Sequence, residues 1–152
     1  MHVVWNMDIG GAERAIYQLV REQRRRGIQA DLMIASEDGY YGNLAREAGA
    51  NVIVLHQRNS FDFSVFFKVR KSINGYSIVH FHSKEIGIMK IISKQPKVKK
   101  FYTHRGGVFS YPLKQLIPYK IAGYFIKKYF HGVSGNTSAG ADSASKLFHI
   151  PR

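Results

Sequence analysis

Ile78-Val79-His80-Phe81-His82-Ser83 is the stretch on which the reading of this chain turns. Two β-branched residues followed by alternating polar and apolar positions make a strand with both histidines on one face. Asn74-Gly75, a helix-stop pair, stands before it, and a segment of helical character from about Glu85 to Ile92 stands after it. A strand set between two helices is the repeating unit of a parallel sheet, so the same alternation is expected on both sides.

Toward the amino terminus the pattern gives a helix over 63–73, a strand over 51–55, a short helix over 41–48 closed by Gly49, and a strand over 30–35. Before these, Gly10-Gly11 opens a helix whose Ala12, Ala15, Ile16, Leu19 and Val20 share a face and which Gly27 stops. The first strand covers 2–6. Toward the carboxyl terminus, a loop with Pro96 leads to a strand over 98–103 and then to His104-Arg105-Gly106-Gly107. A helix over 113–130 places Leu113, Leu116, Ile117, Ile121, Tyr124 and Phe125 at helical spacing, with Lys114, Lys120, Lys127 and Lys128 at its margins. Gly132-Val133-Ser134 forms a last short strand, and Thr137 caps a helix ending near Phe148. The fold class is α/β: a Rossmann-like, doubly wound parallel sheet in one domain spanning 1–152.

Composition narrows the chemistry. Of 152 residues, 23 are Lys or Arg and 10 are Asp or Glu, a formal net charge of +13 that favours phosphates, anionic lipid or nucleic acid. There is no cysteine, which excludes disulfides, thiolate metal sites and a Cys nucleophile and agrees with a cytoplasmic setting. Charges interrupt each apolar stretch well short of the roughly 18 residues that span a bilayer. Arg21, Arg24, Arg25, Arg26, Lys97, Lys99 and Lys100 would suit nucleic acid, yet no nucleic-acid motif accompanies them, and none is expected as a partner. Neither a Gly-x-Ser-x-Gly elbow nor a Walker-type loop is present, which sets aside hydrolase and P-loop chemistry.

Ligands of open parallel sheets sit beyond the carboxyl ends of the strands, and three loops there carry chemistry. In Asp8-Ile9-Gly10-Gly11-Ala12-Glu13-Arg14, the glycines admit a ligand to the backbone and expose amides at a helix start, which suits an anion. The adjacent glycines do not form the dinucleotide fingerprint. His82 and Ser83 reach the carboxyl edge, with His82 expected to face a ligand and His80 to be buried and hydrogen-bonded. Two histidines can begin a zinc site, but only Glu85 offers a neighbouring third ligand, so no metal is expected. Thr103-His104-Arg105-Gly106-Gly107 brings an imidazole, a guanidinium and flexible backbone together, suited to a phosphate or a sugar hydroxyl.

In their order, Gly10-Gly11-Ala12-Glu13-Arg14, Ile78 to Ser83, Thr103 to Gly107 and Gly132-Val133-Ser134 resemble the amino-terminal domain of family-four, group 1 retaining glycosyltransferases of the GT-B class. The resemblance spans nearly the whole chain. It implies a transferase that moves a sugar from a nucleotide donor to a glycan or lipid-linked acceptor, without a metal or other cofactor, in cell-envelope polysaccharide or glycolipid synthesis. It implies that Gly10, Gly11, His82 and His104 line the cleft, with His104 catalytic, and Arg14, Ser83, Arg105 and Gly106 complete the substrate-binding set. It further implies a carboxyl-terminal donor-binding domain with a spaced pair of glutamates, which Glu13, Glu22, Glu37, Glu47 and Glu85 do not supply. The 152 residues alone are therefore expected to be inactive. The basic helix over 113–128 suggests a peripheral place on an anionic inner-membrane surface. The competing reading is a non-catalytic Rossmann-like module that binds a ligand or partner.

Overall fold

A computed structural model describes residues 1–59, 61–105 and 113–151, with side chains from 116 onward in the last span. The elements are β1 (His2–Val4), α1 (Gly11–Arg25), β2 (Leu32–Ile34), α2 (Tyr40–Glu47), β3 (Val52–Val54), α3 (Phe66–Ser72), β4 (Ile78–Phe81), α4 (Ile86–Ser93), β5 (Lys99–His104), α5 (Leu113–Tyr129), β6 (Gly132–Gly135) and α6 (Ser138–Phe148). The expected elements are all present, shorter at several ends. Gly27 and Gly49 take the positive φ (76° and 85°) that an L side chain resists, and so release α1 and α2. The Thr137 side chain accepts a hydrogen bond of 3.0 Å from Gly140 N and caps α6.

The six strands form one parallel sheet in the order β3-β2-β1-β4-β5-β6. The winding reverses between β1 and β4, and this opens a crevice beyond their carboxyl ends. One apolar cluster joins Val4, Leu32 and Ile34 to Ile16 and Val20 of α1 and Ala45 of α2. A larger cluster on the opposite face joins Val3, Met33, Val79 and Phe81 to helix residues that include Val69, Met89, Ile126 and Phe148. Strand period therefore puts His2, His80 and His82 on the α1 face, in register because His2 pairs with His80.

Two expectations about faces hold only in part. Ala15 is exposed on α1, whose buried residues are Ile16 and Val20. Among the described residues of α5, Ala122, Gly123 and Ile126 are buried and Ile121 and Phe125 pack against the core as expected, while Ile117 is 53% and Tyr124 56% exposed. The largest side chains suggested a stripe rotated away from the true one. Close approach to the sheet and α6 selects small residues instead: a Cβ on Gly123 would lie 3.1 Å from the Phe148 ring.

Candidate active-site cleft

β4 and β5 run side by side with Phe81 opposite Tyr102, so the chain leaves both strands at one edge. There, a cleft of about 420 Å³ opens. The turn after β4 contributes Ser83, Lys84 and Glu85, and the end of β5 contributes His104 and Arg105. Trp5 and Tyr119 add aromatic surface, and Lys84 Nζ sits 4.4 Å from the centre of the Tyr119 ring.

Two buried polar atoms in this cleft lack a hydrogen-bond partner, Ser83 Oγ and His104 Nε2. Such atoms cost about 1–3 kcal/mol each unless a ligand or water satisfies them. The His104 ring is 2% exposed and held edge-on against Tyr119 (6.2 Å, 75°) and Phe148 (6.0 Å, 90°). Burial, and secondarily the Lys84 charge, lowers its pKa, so the imidazole is neutral at pH 7. A neutral imidazole with a free ring nitrogen can hold a substrate hydroxyl as donor or acceptor.

His82 stands at the cleft, as expected, but inside a hydrogen-bond chain. It borders the cleft and is 8% exposed, but both its ring nitrogens meet protein: Arg105 Nε donates to Nδ1 at 3.2 Å, and Nε2 lies 3.0 Å from His2 Nδ1. His80 is half-buried and bonded to Thr103 Oγ1 at 2.7 Å. Burial pushes His2 and His80 down to about 4 and His82 further, and the neighbouring charges act in the same direction.

The missing third imidazole of the metal reading is His2, distant in sequence and brought in by β1–β4 pairing. Nitrogens of His2, His80 and His82 lie within 4.8 Å of one another. To ligate an ion through Nε2, His82 would have to carry its proton on Nδ1, facing the Arg105 donor. The trio as arranged suits a hydrogen-bond chain better than a cation.

Of the other expected residues, Gly10 and Gly11 form the β1–α1 turn, where Gly10 is the N-cap of α1 and no side chain caps the helix. Glu13, in the first turn of α1, acts electrostatically on Arg105 and links this turn to the cleft. Arg14 is exposed on that turn, and Gly10, Gly11 and Arg14 are not among the residues bordering the cleft. Gly106 lies outside the described residues. Sequence reading missed Trp5, Lys84, Tyr119 and His2. Trp5 and Lys84 were within reach, since each follows a strand at its carboxyl end; Tyr119 arrives through helix packing and had no local signal.

The sequence model of Glycosyltransferase Family 4 matches residues 9–151. The chain belongs to that family. The match begins at the Gly10-Gly11 turn and takes in every expected site residue of this family-four domain, whereas His2 and Trp5 lie before it. Comparison with curated proteins and with solved structures returned no match. Among the described residues of the glycosyltransferase domain, no helix is long and apolar enough to cross a membrane.

Proposed function

We propose that this glycosyltransferase domain is the acceptor-side half of a two-domain GT-B enzyme. It would transfer a sugar, with retention, from a nucleotide-sugar donor held by a second domain to a glycan or lipid-linked acceptor in cell-envelope synthesis. The observation that carries the reading is the pair of buried, unsatisfied atoms, Ser83 Oγ and His104 Nε2, beside the Arg105 guanidinium at the sheet's carboxyl edge. His104 orients a hydroxyl of the reacting sugar, and Ser83 takes a second. Arg105 and the uncapped amides at the α1 start meet the departing diphosphate, supplying without a metal the positive charge that the leaving group needs. Trp5 and Tyr119 offer faces against which a sugar ring packs.

Trp5 is the chain's single tryptophan, so its emission reports on occupancy of the cleft. Saturable quenching is expected with oligosaccharide or polyprenyl-diphosphate-sugar acceptors. Arg105→Ala is expected to weaken binding of inorganic pyrophosphate, a stand-in for the departing diphosphate, about tenfold. Sugar nucleotides are expected to bind weakly and not to turn over with the 152-residue chain. Turnover by this chain, or emission indifferent to every acceptor, would overturn the assignment.

The exposed face of α5 supports a membrane-side acceptor. Ile117, Lys120, Tyr124, Lys127 and Lys128 are exposed and recur at helical spacing, mixing apolar and cationic groups as interfacial helices do. The chain is expected to sediment with anionic vesicles and far less with neutral ones at moderate salt; equal sedimentation would remove the membrane surface from the proposal.

A further inference from the structure

The hydrogen bonds from Arg105 to Gln23 have only one consistent direction. A guanidinium Nε can only donate, so His82 Nδ1 must accept its 3.2 Å bond. A neutral imidazole with a bare Nδ1 carries its proton on Nε2, and that proton points at His2 Nδ1, 3.0 Å away. His2 Nδ1 accepts, so its own proton is on Nε2, directed at Gln23 Oε1 at 2.8 Å. The order Arg105 to His82 to His2 to Gln23 follows from the end where no ambiguity exists. Reversing any one bond sets two N–H groups against each other. His2 is 5% exposed and His82 8%, so water is a poor substitute partner for either ring.

The consequence concerns Arg105. With Nε spent on His82, an anion in the cleft meets the two terminal nitrogens, the geometry of a two-point grip on phosphate oxygens. We propose that His2 and Gln23 are positioning residues, which act through His82 to fix the direction in which Arg105 presents its guanidinium to an anionic substrate. Gln23 lies on α1 and His2 on β1, away from the cleft, and neither belongs to the substrate-binding set drawn from the sequence. The anion-binding part of this inference rests on the function proposed above; the proton order does not.

The test reads the two parts separately. Long-range nitrogen–proton NMR of the imidazoles is expected to show His82 and His2 each protonated on Nε2 at pH 7, with a protected Arg105 Nε–H. In Gln23→Met, which keeps the side-chain length but removes the acceptor of the His2 Nε2–H, the rings keep their Nε2 protons because Arg105 Nε still only donates, while the Arg105 Nε–H protection is expected to fall. Affinity for inorganic pyrophosphate should then fall about three- to tenfold, as removal of one hydrogen bond in the chain predicts. The same substitution in an Arg105→Ala background should change pyrophosphate affinity little, because the effect passes through Arg105. His82 protonated on Nδ1 overturns the inference, as does an unchanged pyrophosphate affinity in Gln23→Met where Arg105→Ala weakens it. If Arg105→Ala leaves pyrophosphate binding untouched, the phosphate role assigned to Arg105 fails. The positioning of the guanidinium is then judged by the Nε–H protection, whose persistence in Gln23→Met would overturn it.

Discussion

Acidification from pH 6.5 to pH 4 is expected to remove a large part of this protein's stability. His2 and His80 hold pKa values of about 4 in the fold, first because burial penalises the imidazolium, and those of His82 and His104 are lowered for the same leading reason. In the unfolded chain each titrates near 6.5. Between those values the unfolded state binds more protons than the folded one. Stability is therefore fully present above pH 6.5 and drains away as pH falls through the folded values. His2 alone, near 6.5 in the unfolded chain and about 4 in the fold, accounts for roughly 3 kcal/mol, against a total of about 5–15 kcal/mol for a typical domain. Urea unfolding followed by circular dichroism at pH 7 and pH 4.5 measures the difference. Equal midpoints would mean that the histidines are not buried as described.

Gly135→Ala is expected to lower the melting temperature by about 6–12 °C, corresponding to about 3 kcal/mol for a chain of this length. Gly135 ends β6 under the first turn of α6, and an added Cβ would stand 2.6 Å from Gly140 C and 2.7 Å from Ala141 Cα. Both are backbone atoms, so relief requires α6 to shift as a body. Phe148 of that helix packs edge-on against His104 and Tyr102, so the shift should also blunt the fluorescence response of Trp5 to acceptors. Gly11→Ala makes the contrasting case: nothing lies within 4 Å of the added Cβ, and stability should change by less than about 0.5 kcal/mol. Comparable melting temperatures for the two variants would contradict the packing of α6 on β6.

Much of the fold was legible because its signals are local. Alternation at Ile78 to His82, helix-stopping Gly27 and Gly49, and the Thr137 cap each depend on a few neighbouring residues, and each element they mark is present in the fold. The places of Ser83, His104 and Arg105 at the carboxyl ends of their strands were legible for the same reason, since strand ends in a parallel sheet share one edge. The rotation of α5 was not, because the small residues Ala122 and Gly123 reveal their burial only against a neighbour.

Taken by itself, the sequence determined the α/β class, the order of elements and which residues stand at the carboxyl ends of the strands, because periodicity and turn chemistry act over a few residues. Only the tertiary structure decided what those loops do together. The pairing of β1 with β4 set His2 against His82 and turned a ligand-facing candidate into the support of Arg105. Packing of α5 and α6 brought Tyr119 and Phe148 to His104 and left its Nε2 buried and unsatisfied. Those contacts join residues far apart in the chain, and burial, which sets the protonation of these rings, is a property of the packed molecule.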